Sequence, residues 1–202
     1  SGETFLDLLK ALDSMKELSR IRISSVEPDL LSDEIIELVS SSGRLMPHFH
    51  LPLQSGSDRI LNLMKRKYSS DLFISRVEKI RSVMPDACIA SDVIVGFPGE
   101  TDDDFHQTHG LIEKLDISYL HVFSYSEREN TLASKLGGTV QDSVKKIRSD
   151  QLHLLSEKKK RAFYLRNKGK QTNVLFESDQ VNGVMHGFTD NYIKVKRPYD
   201  PA

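Results

Sequence analysis

Short apolar runs rich in β-formers alternate with longer amphipathic segments through the first two thirds of the chain. Thr4 to Leu18 carries Phe5, Leu8, Leu9, Leu12 and Met15 at helical spacing. Arg20-Ile21-Arg22-Ile23-Ser24-Ser25 then alternates like a strand. Leu30 to Val39 is helical, and His48-Phe49-His50-Leu51-Pro52-Leu53 is the next strand. Helices follow with Ser57 and Asp71 as expected caps. Cys88 to Val95 is a third strand. Thr101 heads an acidic first turn, Asp102-Asp103-Asp104, suited to a helix N-terminus, and Tyr119 to Phe123 is a fourth strand. Strands alternating with helices imply parallel pairing through right-handed crossovers. Functional sites in such sheets form at the carboxyl ends of the strands. Here those ends are Ser24-Ser25-Val26-Glu27-Pro28, Gln54-Ser55-Gly56-Ser57-Asp58, Gly96-Phe97-Pro98-Gly99-Glu100 and Ser124-Tyr125-Ser126-Glu127-Arg128.

The texture changes after Gly137-Gly138. Val140 to Arg166 reads as one long basic helix. Short strands are then expected at Asn173–Glu177, Val181–Gly187 and Tyr192–Lys196, with a tight turn at Thr189-Asp190-Asn191. The expected division is a βα portion over 1–138, a basic linker helix over 139–170 and a small β unit over 171–202.

Charge follows the same division. The chain's net −1 averages an acidic stretch and a basic one. Residues 1–139 hold 15 Lys and Arg against 22 Asp and Glu, a balance of −7. Residues 140–170 hold 10 against 3, a balance of +7. A cation density of this kind neutralises phosphates, so Lys158, Lys159, Lys160, Arg161, Arg166, Lys168 and Lys170 are the candidate RNA contacts. A solvated helical linker is the competing reading.

Other classes are set aside on composition. No apolar run approaches the roughly 18 residues of a membrane span, and no secretory leader is recognised, so a cytoplasmic protein is expected. Both ends of the chain read as cut edges. Cys88 is the single cysteine, which rules out an internal disulfide and a thiolate zinc site. His48, His50, His106, His109 and His121 read as partly buried polar residues, with no metal ligation expected.

Two segments have the composition of ligand-facing turns. In Asp92-Val93-Ile94-Val95-Gly96-Phe97-Pro98-Gly99-Glu100-Thr101 a buried strand runs into a Gly-Pro-Gly turn, where glycine lets the backbone approach a flat ligand. Its edge groups are suited to reading a base, and a tight turn without a ligand is equally compatible. Asp92 within that strand requires a partner or a function. Gln54 and Ser55 project from the second strand end. In Met64-Lys65-Arg66-Lys67-Tyr68 the cations suit a helix C-terminus, or Arg66 acts as a fork for a carboxylate.

In order and spacing these segments, with Arg20 to Pro28 and His121-Val122-Phe123-Ser124-Tyr125-Ser126, resemble the radical S-adenosylmethionine (SAM) methylthiotransferases over residues 20–133. Gly187-Phe188-Thr189-Asp190-Asn191-Tyr192-Ile193-Lys194-Val195 is similar to part of a TRAM domain, the small β-barrel with which such enzymes hold tRNA. That segment and Tyr125 to Thr131 most resemble the branch that methylthiolates threonylcarbamoyladenosine beside the anticodon. Sibling branches act on isopentenyladenosine or on a ribosomal protein.

The resemblance implies an α/β fold: a partial (β/α) barrel of the radical SAM type, here four of six strands, then the basic helix and a partial TRAM-like β-barrel. It implies SAM and 4Fe-4S clusters as cofactors of the parent protein, with SAM cleaved reductively to a 5′-deoxyadenosyl radical. Ser24, Ser25, Gln54, Ser55, Arg66, Asp92, Val93, Val95 and Gly96 are the implied SAM-facing positions. Val93 to Gly96 would lie along the adenine, and Arg66 would meet the methionyl carboxylate. The CxxxCxxC motif that holds the barrel cluster in this family is absent, and the upstream glycine-rich motif is absent too. The catalytic residues are therefore unassigned, and an inactive fragment is expected. Its partners would be a tRNA anticodon stem-loop, N-terminal domains of the same protein, and other copies across an exposed sheet edge. Two other classes compete: a non-catalytic RNA-binding module, and an ordinary βα-barrel enzyme using Glu27, Glu100 or Glu127.

Overall fold

The computed structural model describes residues 2–127, 131–133 and 136–199. Arg128, Glu129 and Asn130 of the Tyr125–Thr131 segment lie outside the described residues. The described residues form two sheets. The first is parallel, in the order β1 (His48–His50), β2 (Cys88–Val95), β3 (Tyr119–Ser124). Helices α1 (Phe5–Ser14), α2 (Asp33–Ser41), α3 (Asp58–Leu63), α4 (Ser70–Val83), α5 (Asp102–Lys114) and α6 (Asp142–Asn167) surround it.

Strand alternation divides the sheet into two unlike faces. Phe49, Leu51, Leu53, Ile89, Val93, Val95 and Leu120 pack into one core with Ile35, Ile36 and Val39 of α2, Phe73, Val77 and Ile80 of α4, and Phe105 and Ile112 of α5. The opposite face carries His48, His50, Ala90, Asp92, Ile94, Tyr119, His121 and Phe123. Its carboxyl-terminal part reaches solvent, with His121 exposed and Phe123 53% exposed, while His48 and Ala90 are buried.

The first two expected strands are shorter than the sequence suggests. Residues 20–25 form no continuous strand. Ile21 bridges Leu45 in parallel, and Val26 N–H donates to the His50 carbonyl. The second strand ends at His50, and Gln54 then bridges Val93 alone. Pro47 and Pro52 bracket β1, and each removes a donor from a ladder that would otherwise run on.

Caps follow local chemistry, with two shifts. Thr4 and Thr101 form complete capping boxes with Asp7 and Asp104. Ser69, not Asp71, caps α4, because its hydroxyl reaches the Leu72 N–H; Asp71 lies in the first turn. Ser57 makes no cap bond to α3, since its hydroxyl donates to Asp104 at 2.6 Å.

Helix α6 is not a free linker. Leu152, Leu155 and Phe163 are buried, and Ser156 Oγ accepts from the Leu120 N–H at the edge of β3. The second sheet is antiparallel: β4 (Val174–Val181), β5 (Val184–Thr189), β6 (Lys194–Pro198). The expected strand across 181–187 is interrupted by a turn, because Asn182 and Gly183 both have positive φ (53° and 72°), the two-residue hairpin turn. Tyr192, with φ 65°, belongs to the following turn rather than to β6. The described residues make an open three-stranded sheet, not a closed barrel.

That sheet is fastened to the amino-terminal ends of the parallel strands. Arg20 pairs with Asp190 at 2.6 Å and donates to the Phe188 carbonyl. Arg22 lies 4.1 Å over the Tyr192 ring, which stacks on Phe188 and meets His48. Asn191 bonds both the Asp86 carbonyl and Asn167.

Candidate functional site

A cavity of about 430 Å³ opens at the carboxyl ends of the parallel strands. Ser25, Glu27, Gln54, Arg66 and Asp92 provide its polar wall, and Phe5, Val26, Leu30 and Pro52 its apolar wall. Each polar group arrives by a different local device.

Arg66 is placed by the end of α3. Lys65 adopts a left-handed conformation (φ 58°), and Arg66 N–H returns to the Leu61 carbonyl. The chain turns there, and Arg66 Nη1 reaches Glu27 Oε1 at 2.5 Å. Tyr68 Oη donates to the Pro52 carbonyl and holds this loop against the strand end. Arg66 Nε is buried without a partner among the described residues. The basic loop thus does more than complement a helix dipole: one of its cations is the charged wall of the cavity.

Gln54 holds a left-handed backbone (φ 63°), a conformation that costs a non-glycine residue roughly 1 kcal/mol or more. Its N–H donates to the Asp92 carbonyl and its carbonyl accepts from Ile94 N–H. The main chain is satisfied by β2, and the residue lines the cavity. Asp92 itself is paired, its Oδ1 lying 2.7 Å from His50 Nε2. His121 is the register partner of Asp92 on β3. One ligand atom from each of His50, Asp92 and His121 falls within 4.8 Å of the others.

Gly96 closes β2 with φ 75°, and a Cβ there would stand 2.3 Å from Lys145 Cγ. No side chain fits beneath the aliphatic stem of Lys145. The Gly96 N–H donates to Glu100 Oε2, which Arg148 also grips at 2.6 Å. Burial is the largest influence on Glu100 and pushes its carboxyl up, against the pull of Gly96 and Arg148. This network ties the strand-end turn to α6.

Of the sequence-expected residues, Ser25, Gln54, Arg66 and Asp92 converge on the cavity. Ser24 is exposed beside it. Ser55 is fully buried on the other side, with its hydroxyl 3.3 Å from Thr108 Oγ1. Val93 and Val95 bury their side chains among the helices. Along Val93 to Val95 the β2 backbone pairs continuously with β3, while on its other side the β1 pairing ends at Ala90 and only Gln54 bridges Val93. Glu27 is the addition to the cavity wall, and His50 and His121 stand beside Asp92 outside it. Glu27 was visible as an acid at a strand end, but its ion pair with Arg66 needed the turn at Lys65.

The candidate RNA contacts separate into two groups. Lys159 donates to the Leu115 carbonyl at 2.7 Å, Arg166 grips Asp116 with two bonds, and Lys170 pairs with Asp86 at 2.6 Å. These clamp α6 to the rest of the fold. Lys160, Arg161 and Lys168, with Lys170, line a cleft of about 900 Å³ between α6, the α4–β2 turn and the second sheet, and Lys158 is exposed on α6. No helix of the described residues is long and apolar enough to cross a membrane.

Comparison with known proteins places these features in context. The Radical SAM superfamily profile matches residues 1–112. The threonylcarbamoyladenosine tRNA methylthiotransferase MtaB of Thermotoga maritima is 40% identical over 193 residues, 96% of this chain and 44% of that protein. A tRNA-2-methylthio-N(6)-dimethylallyladenosine synthase of Syntrophus aciditrophicus is 41% identical over 183 residues, 90% of this chain and 40% of that protein. The chain thus spans less than half the length of these curated relatives. Among solved structures, the radical SAM enzyme coproporphyrinogen III oxidase of Escherichia coli superposes with a TM-score of 0.52 at 17% identity, covering 80% of this chain and 35% of that one.

Proposed function

The chain belongs to the radical SAM superfamily, and we propose that it forms the SAM-facing and RNA-contacting part of a tRNA methylthiotransferase acting on threonylcarbamoyladenosine. The observation that carries this reading is the likeness to MtaB along nearly the whole chain.

The cavity suits SAM chemically. Arg66 offers a guanidinium to the methionyl carboxylate, and Glu27 beside it offers a carboxylate to the ammonium. Gln54 and Asp92 offer hydrogen-bonding groups to the ribose hydroxyls, whereas Gly96 lies outside this cavity, covered by Lys145. SAM supplies the radical chemistry and the methyl group. The residues of this chain orient it and exclude water from one side.

A 4Fe-4S cluster does not fit the residues present. Cys88 is the only cysteine, it is fully buried, and desolvation pushes its thiol up to about 12. A cluster of this kind takes three or four thiolates. In this reading the thiolates belong to another part of the parent protein, and this chain alone is inactive. The tRNA anticodon stem-loop lies against the free cations of α6, with the open β4–β5–β6 sheet as part of a TRAM-like unit. The similarity to a dimethylallyladenosine synthase keeps that nucleoside as a second candidate substrate.

The test is anaerobic iron and sulfide reconstitution. This chain is expected to take up no stoichiometric cluster. The full-length gene product is expected to take up clusters and to lose SAM affinity at least tenfold in Arg66→Ala. Stoichiometric cluster uptake by this chain, or unchanged SAM affinity in Arg66→Ala, contradicts the reading.

A further inference from the structure

We propose that His50, Asp92 and His121 form a binding site for a borderline divalent cation of the zinc class, on the sheet face turned away from the helices. Three adjacent parallel strands supply the three groups. His50 closes β1, Asp92 lies in the middle of β2, and His121 lies in β3 directly beside Asp92. His50 pairs with Ala90, one pleat before Asp92, so the period of two puts all three side chains on one face.

The geometry is close to that of a bound ion. The ligand atoms lie within 4.8 Å of one another, and His50 Nε2 to Asp92 Oδ1 is 2.7 Å. Bonds of about 2.0–2.1 Å to zinc set neighbouring ligand atoms roughly 3.3 Å apart. The needed contraction falls on His121, which is exposed and rests edge-on against Tyr119, so a side-chain rotation supplies it. The other two ligands are fixed by the sheet. The Asp92 carbonyl accepts from Leu53 and Gln54, and the His50 carbonyl accepts from Val26.

The donor set selects the ion. Two imidazoles and one carboxylate without a thiolate suit Zn²⁺, Co²⁺ or Ni²⁺. Calcium and magnesium require a cage of oxygens that this face lacks. Three protein ligands leave a position open on the solvent side. The His50–Asp92 hydrogen bond is exchanged for two metal bonds, which keeps both groups satisfied with or without the ion.

The site shares only Asp92 with the cavity assigned to SAM. Arg66 and Glu27, which carry the SAM reading, lie outside it, so either assignment can fail alone. The test is titration of the metal-stripped chain with Co²⁺ and then Zn²⁺. One equivalent of Co²⁺ is expected to give visible d–d absorption without thiolate charge transfer, and one equivalent of Zn²⁺ to remove it. His121→Ala, at an exposed position, should weaken Zn²⁺ binding by more than the roughly 10–100-fold that loss of an outer-shell partner costs. His106→Ala and His109→Ala on α5 should leave it unchanged. Absence of saturable binding at micromolar Zn²⁺, or unchanged affinity in the His50→Ala/His121→Ala double variant, overturns the proposal.

Discussion

Arg148 is a deeply buried charge that joins α6 to the turn after β2 and to the start of α5. Its Nη1 lies 2.6 Å from Glu100 Oε2 and its Nη2 2.7 Å from Asp102 Oδ1. The Arg148 and Glu100 side chains are 5% and 1% exposed. In Arg148→Ala, Glu100 keeps the Gly96 N–H but loses its buried counter-ion. Removing one member of a buried pair costs about 3–5 kcal/mol. That is a large share of the roughly 5–15 kcal/mol that holds a typical domain folded. At about 2 kcal/mol per molar urea, the unfolding midpoint should fall by roughly 1.5–2.5 M.

The deficit should also depend on pH. Burial already raises the Glu100 carboxyl, and loss of Arg148 raises it further. A raised folded-state value favours the folded protein below the ordinary carboxylate range and disfavours it as pH rises through the new value. The gap between Arg148→Ala and wild type should therefore shrink as pH is lowered from neutral towards the ordinary glutamate range. Glu100→Gln/Arg148→Met, which leaves no unpaired charge, should lose less than Arg148→Ala. Urea titrations followed by circular dichroism measure all three. A loss below about 1 kcal/mol in Arg148→Ala, or a deficit that ignores pH, refutes the assignment of this pair as the anchor of α6.

Three further outcomes follow from the same structure. Burial pushes the Asp104 carboxyl up, but bonds from Arg59, Ser57 and Thr101 outweigh it and hold the group well below the usual carboxylate range. Its stabilisation is present above that range and disappears as pH falls through the depressed value, so Asp104→Asn should lose about 2–3 kcal/mol at pH 7 and flatten the acid limb of the stability profile. Gly96→Ala should cost about 1–3 kcal/mol, and a Lys145→Ala background should recover only the steric part, because the positive φ remains; thermal unfolding of the four proteins separates the two. For RNA, alanine at Lys160, Arg161 and Lys168 should weaken binding of an anticodon stem-loop and reduce its salt slope by about 0.7–0.9 for each phosphate no longer neutralised, whereas Arg166→Ala should act on stability through Asp116; fluorescence anisotropy across salt concentrations reads the difference.

The parts legible in the sequence are those fixed by near neighbours. Thr101 and Asp104 cap α5 as their three-residue spacing dictates, and β2 begins at Cys88 as its apolar run requires. Gln54 was legible because it stands just beyond the carboxyl end of a strand, whereas Asp92 lies within β2 and Arg66 arrives by the turn that ends α3. What stayed hidden depends on distant partners. The grouping of His50, Asp92 and His121 is a consequence of register between three strands, which spacing along the chain does not reveal. The grip of Arg66 on Glu27 depends on one left-handed residue, Lys65. Helix α6 looked like a solvated linker because its many cations obscure Leu152, Leu155 and Phe163, which bury against the fold. The Asn182-Gly183 turn is encoded by its two residues alone, a pair suited to a two-residue hairpin, and it divides the strand expected across 181–187.

The central claim, that this chain serves methylthiolation of threonylcarbamoyladenosine in tRNA, is tested most directly by nucleoside mass spectrometry of tRNA from cells lacking the gene that encodes it. The account predicts that methylthiolated threonylcarbamoyladenosine disappears, that the unmethylthiolated nucleoside accumulates in its place, and that the wild-type gene, but not one carrying Arg66→Ala, restores the product. Persistence of the methylthiolated nucleoside in the deletion strain, or loss confined to methylthiolated dimethylallyladenosine, contradicts it.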